Sequence, residues 1–279
     1  MRRLILSVLF FDKFLKFWGP GIHLHLGNKL LNSDKDFEGK DIIKNYKKEF
    51  LYGNIAPDIT LGKKYIKDLE KHSHSWNVGF EILNKANSDK NKALAYGYLS
   101  HLASDIIAHN FFIPKNLLVS KGMRSFSHMI LEIKSDMMLY KDTYELVYKM
   151  SKVNLKDEDL FLKSVISESF LPFKANRKIF EYSLKAMKSK YMYSGIRIFT
   201  NYENWIQENK KILEKYHKIS YNLIENILEK KERSILLKYD PNGEKNIGIL
   251  NELKKEYKLF KMKDYETNIF NIPEELRGI

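Results

Sequence analysis

Cysteine is absent from this chain of 279 residues. Without a thiol there is no disulfide framework and no thiolate metal site, so any bound metal must be held by His, Asp, Glu, backbone groups or water. The lack of disulfides suits the cytosol without ruling out export. A long apolar run is missing too. Leu4 to Phe11 is far too short to span a bilayer. Arg2-Arg3 ahead of it looks like the start of a secretory signal, but Asp12, Lys13 and Lys16 interrupt what should follow, and Lys16-Phe17 is a poor cleavage site. Residues 1–17 are therefore read as a signal-like or membrane-proximal segment, and a cytoplasmic or membrane-associated location is favoured over secretion. There is no concentrated basic tail. The formal net charge of +13 is carried by Lys scattered among Glu and Asp along the whole chain. Such a surface attracts anionic partners, phospholipid headgroups or nucleic acid, in a salt-sensitive way, and does not choose between them.

Alternating strand patterns, internal repeats and low-complexity linkers are also wanting, whereas helical periodicity runs throughout. After the turn Trp18-Gly19-Pro20-Gly21, His23 to Leu31 can start a helix and Ile42 to Tyr52 resembles a second. Gly53 to Ile59 reads as a loop broken by Pro57, which sets Asp58 on a fixed, non-helical backbone. Trp76 to Ala86, Lys92 to Asn110 and Phe126 to Tyr140 are predicted helices, with Pro114 closing the second of these. Beyond residue 140 amphipathic stretches continue, for example Ile212, Tyr216, Ile219, Leu223 and Ile227, punctuated by Leu171-Pro172 and Pro241-Asn242-Gly243. The expected fold is all-α, a multi-helix bundle around a buried multinuclear metal site. The expected division is a metal-binding core over 18–140 and an additional helical region, 141–279, packed on it.

The chemistry sits in the first half. His101, Asp105 and His109 are spaced i, i+4 and i+8, which projects imidazole, carboxylate and imidazole from one helix face over two turns. His128 and Glu132 repeat the i, i+4 step on the next chemistry-bearing helix. A lone His on an apolar face is usually a satisfied core residue. Five such groups in two runs, flanked by Leu, Ile, Phe and Ala that would bury them, point instead to metal ligation, because unpaired buried carboxylates and imidazoles are costly. His25 faces away from His23. Asp136, at i+8 from His128, either orients a ligand from behind or lies on a solvated face, with the second favoured. His217, isolated among Glu, Lys and Tyr, reads as a surface residue.

In chain order the candidates are Trp18, His23, Asp58, His72 or His74, His101, Asp105, His109, His128 and Glu132. The pattern resembles the bacterial zinc-dependent phospholipase C family, all-helical enzymes with three zincs, over roughly residues 18–140. Tyr98 to Asp105 and His128 to Glu132 carry the likeness most strongly, supported by Gly21-Ile22-His23 and Pro57-Asp58. The resemblance implies two or three Zn2+ ions. One is held by Asp58, His74 or His72, His101 and Asp105. A second is held by His109, His128 and Glu132. The third is held by His23, a shared oxygen of Asp105, and the free amine and carbonyl of Trp18, which requires processing after Phe17. His74 is preferred to His72 because Trp76 follows it closely, as in the family. Asp58 matches the residue that touches metal and also serves as general base.

Two features depart from the family. Asp105 and His109 are closer together than their counterparts, and Trp18 lies only five residues before His23, a separation more like that of the related trinuclear zinc nucleases. The implied function is zinc-dependent phosphodiester hydrolysis at phospholipid headgroups on a membrane surface. The alternatives are a single-strand nuclease of the same superfamily, disfavoured by Glu132 where those enzymes commonly use Asp, and a non-catalytic metal-bound helical binding protein. No protein partner is implied.

Overall fold

The computed structural model of the chain describes residues 19–60, 72–119, 124–166, 171–187, 190–260 and 267–279. Trp18 and the segment 1–17 lie outside the described residues. Among those described there is no strand, and the architecture is all-α. In chain order the helices are α1 (Pro20–Leu31), α2 (Lys40–Asn45), α3 (Lys47–Gly53), α4 (Trp76–Lys85), α5 (Asp89–Ile107), α6 (Ile113–Val119), α7 (Arg124–Met138), α8 (Tyr140–Lys152), α9 (Lys156–Val165), α10 (Phe173–Met187), α11 (Lys190–Phe199), α12 (Tyr202–Lys230), α13 (Glu244–Phe260) and α14 (Glu274–Arg277). None of the described helices is long and apolar enough to cross a membrane.

Helix α5 is the central strut. Ser88 caps it by accepting from the Asn91 amide at 3.3 Å, and Asp89 in the first turn suits the positive end of the helix dipole. From Ala93 to Ile107 every residue is buried, as befits a helix surrounded by others rather than laid on a surface. Helices α1, α3, α4 and α12 pack around it. Each fully buried Leu or Ile of this assembly, such as Leu94, Leu99, Leu102 and Ile106, contributes roughly 1.5–3 kcal/mol of burial free energy. The approach of α3 to α5 depends on two glycines. A Cβ on Gly97 would stand 2.0 Å from the Phe50 carbonyl oxygen, and one on Gly53 would stand 2.1 Å from that of Leu94. Only backbone fits in that gap, and the closeness delivers the end of α3 to the middle of α5, where the chemistry lies.

Three local expectations are revised. The stretch Ile42 to Tyr52 is two short helices divided at Tyr46, whose φ of −116° and ψ of 54° leave the helical region. Residues Ala56–Ile59, expected as loop, form one 3-10 turn that carries Asp58. Pro114 does not end the helix it follows. The chain widens into a π-helical turn, Ala108–Phe112, and then continues as α6. Pro114 is the second residue of α6, in a first turn where a missing N–H is tolerated.

His217 is likewise not at the surface. It is buried on the core-facing side of α12, and burial, reinforced by His25 and Lys29, pushes its pKa down to about 3 from the usual 6.5. The folded protein therefore keeps this imidazole neutral, while the unfolded chain protonates it below pH 6.5. Its contribution is fully present above pH 6.5 and is lost as pH falls towards 3, at about 1.4 kcal/mol per pH unit. Denaturant titrations across that range should show this slope in the wild type and a shallower one in His217→Gln. Equal slopes would place the histidine in contact with water.

Candidate metal centre

Four side chains from three parts of the chain meet beside α5. Asp58 comes from the 3-10 turn, His74 from the turn before α4, and His101 and Asp105 from α5 itself. All are buried to within about 1% of full coverage. His74 Nε2 lies 3.1 Å from Asp58 Oδ1, 3.1 Å from His101 Nε2 and 3.3 Å from Asp105 Oδ2. His101 Nε2 lies 3.0 Å from Asp105 Oδ2 and 3.6 Å from Asp58 Oδ1. Two ligands bound at 2.0–2.2 Å to a tetrahedral zinc stand about 3.4 Å apart. Five edges of this four-atom figure lie between 3.0 and 3.6 Å, a spacing that a tetrahedral zinc would fit.

Surrounding hydrogen bonds decide which nitrogen of each ring faces inward. His101 Nδ1 is 2.8 Å from the Asn54 carbonyl at the end of α3, so it carries the proton and donates it. Ser104 commits its single hydroxyl proton to the His101 carbonyl at 2.9 Å, so its oxygen accepts from His23 Nδ1, also at 2.9 Å. Ser73 donates in the same way to the Pro57 carbonyl at 3.0 Å and accepts from His74 Nδ1 at 3.2 Å. In all three rings Nδ1–H points outward and the Nε2 lone pair points inward, the arrangement by which proteins orient metal-binding imidazoles. Lone pairs only 3.1 Å apart on His74 and His101 repel unless a cation lies between them. Asn54, Ser73 and Ser104 were not singled out from the sequence, although the two serines each sit beside a candidate ligand.

Asp105 is the hub. Its Oδ2 faces His74, His101 and, at 3.7 Å, His109 Nε2, while Oδ1 faces His23 Nε2 at 3.3 Å. Neither carboxylate oxygen makes a hydrogen bond of sound geometry among the described residues, nor does His23 Nε2. Burial alone would raise the Asp105 pKa, but His101, His109 and His23, in their protonated forms, together hold it well below the usual carboxylate range. His23 is held below its usual value by burial and by His101, against the pull of Asp105, so it stays a neutral donor. Its ring stacks on that of His101, with centroids 3.8 Å apart.

His109, His128 and Glu132 form a looser second set. His128 Nε2 is 2.8 Å from Glu132 Oε1, and the His109 and His128 rings lie 5.5 Å apart at 65°. All three are buried. Donor atoms within 4.8 Å of one another unite His74, His101 and Asp105, and also His23, Asp58 and His101. His109 belongs to the π-turn, a helix irregularity that often marks functional sites.

His72 stands one step outside. Its Nδ1 accepts from the His74 amide at 3.1 Å and its ring is 5.9 Å from that of His74. Asp136 is not on a solvated face. It is buried and accepts from the amides of Gly21 and Ile22, each at 3.0 Å, closing the N-terminus of α1 just ahead of His23. Burial, opposed by those two amides, raises its pKa to about 7.

Fold and donor set together define a helical protein with a buried site suited to several zinc ions. The family described as zinc dependent phospholipase C matches residues 22–189, more than half of the chain. The chain belongs to that family. The match takes in every candidate from His23 to Glu132 and stops short of α11–α14. No curated protein and no solved structure matches it.

Proposed function

We propose that this chain is a phosphodiester hydrolase that cleaves phospholipid into diacylglycerol and a phosphorylated headgroup. The observation that carries the reading is the four-atom figure of Asp58, His74, His101 and Asp105, with its imidazole lone pairs turned inward by Ser73 and the Asn54 carbonyl. These four would hold one zinc. His109, His128 and Glu132 would hold a second. His23 and Asp105 Oδ1 would contribute to a third, which Trp18 would complete once its amine is free. Zinc in such a site polarises phosphoryl oxygens and makes water acidic enough to lose a proton near neutral pH.

The protein's own part is orientation and proton handling. Asp58 Oδ1 is turned to His74 and His101, and we assign Oδ2 as the atom that takes the proton of the attacking water. A general base must be aimed at one proton, and the 3-10 turn behind Pro57 fixes that aim. The water oxygen bonds to phosphorus, the P–O bond to the glycerol side breaks, and the departing diacylglycerol oxygen takes up a proton from solvent. The basic surface assists by drawing the chain to anionic lipid.

Phosphatidylcholine vesicles incubated with zinc-loaded protein should release phosphocholine and diacylglycerol. Release of nucleotides from single-stranded DNA with vesicles left intact would replace this reading by the nuclease one. Inertness on both would leave a metal-bound binding protein.

A further inference from the structure

The turn between α12 and α13 lies outside the segment that matches the family, yet it touches both ligand sets. Asp240 organises it. Its Oδ1 accepts from the Asn242 amide at 2.9 Å, its Oδ2 from the Glu244 amide at 3.0 Å, and its carbonyl from the Gly243 amide at 3.0 Å. The turn is thereby fixed before it meets anything else.

On one side it grips the turn that carries His74. Asn242 Nδ2 lies 3.4 Å from both the His74 carbonyl and His72 Nδ1, and Trp76 Nε1 donates to the Tyr239 carbonyl at 2.9 Å. On the other side it grips the π-turn that carries His109. Asn110 Nδ2 donates to the Asp240 carbonyl at 2.8 Å, and Asn246 Nδ2 donates to the Asn110 carbonyl at 2.7 Å. Gly243, at φ +64°, lies so close that a Cβ there would stand 2.2 Å from the His109 carbonyl oxygen. The π-turn frees main-chain groups that a regular helix would pair internally. The Asn246 side chain meets that demand at the Asn110 carbonyl, and the Asn110 side chain meets it at the Ile106 carbonyl at 3.2 Å.

We propose that Asn242 and Gly243 are positioning residues that set the separation between the Asp58–His74–His101–Asp105 set and the His109–His128–Glu132 set. This rests on the metal reading above. His74 and His109 come from elements with no covalent reason to keep a fixed distance, and one rigid turn holds the backbone of each. The C-terminal part of the chain is thus a component of the metal centre rather than an appendage. The positive φ and the near contact together exclude any side chain at residue 243 without displacing the His109 carbonyl.

Cobalt(II) titration of the full chain tests this, because the visible d–d bands report the geometry at each bound ion independently of turnover. Gly243→Ala and Asn242→Ala should each bind their weakest tightly held cobalt about ten- to a hundredfold less well, with altered bands. Asn242→Ala removes donors without adding bulk, so it remains informative if Gly243→Ala does not fold. Ile43→Ala serves as a stability control, since it opens a cavity in α2 at a fully buried side chain. It should lower the melting temperature yet keep wild-type bands and affinities. If the two turn variants match Ile43→Ala in both bands and affinities, the clamp is overturned while the metal centre stands. A wild-type chain that takes up no cobalt would overturn both.

Discussion

Replacing Asp105 with Asn is expected to strip the protein of most of its zinc and to cut phosphodiester hydrolysis to below about a thousandth of the wild-type rate. The carboxylate offers one oxygen to His23 and the other to His74, His101 and His109, so it faces a histidine of each of the three proposed ligand sets. An amide has no negative charge to share between cations, and its NH2 would face inward-pointing imidazole lone pairs. That NH2 can donate to one of them, so the metal-free variant should unfold no earlier than metal-free wild type. The sign of that second effect separates loss of a ligand from loss of the fold. Zinc content by mass spectrometry and melting after chelation read the two independently. Full zinc occupancy in Asp105→Asn would remove Asp105 from its place at the hub.

Asp58→Asn should behave differently. Asp58 lies at the rim of the same figure, facing His74 and His101, and His74, His101 and Asp105 already form a compact group without it. Most of the zinc and the fold should therefore survive, because an amide oxygen still coordinates weakly. Hydrolysis should fall by about 10²–10⁴-fold, the usual contribution of a positioned general base, since the amide cannot accept the proton. Turnover at the wild-type rate in a zinc-replete variant would contradict the role given to Asp58.

The residues of α5 and α7 were legible in the sequence because their chemistry repeats at the helical spacing. His101, Asp105 and His109 share a face by arithmetic alone, as do His128 and Glu132. Asp58 and His23 were reached through resemblance, and the geometry brings both beside Asp105 or His101. What the sequence concealed depends on long-range contacts. Asp136 looked like a solvated carboxylate because its partners, the amides of Gly21 and Ile22, lie more than a hundred residues away. His217 looked exposed because its neighbours in sequence are polar, while its neighbours across α12 are core. The π-turn at His109 has no local signature, since Pro114 reads equally well as a helix stop or as a first-turn residue. Nor could Asn242 be connected with His74, or Asn246 with Asn110, before the turn at Asp240 was seen against both.

Metal analysis of the protein after gel filtration tests most directly whether these buried imidazoles and carboxylates share zinc. At least two zinc ions per chain are expected, removed by a strong chelator and restored on adding zinc. A folded chain that remains zinc-free in the presence of excess zinc would contradict a shared zinc site.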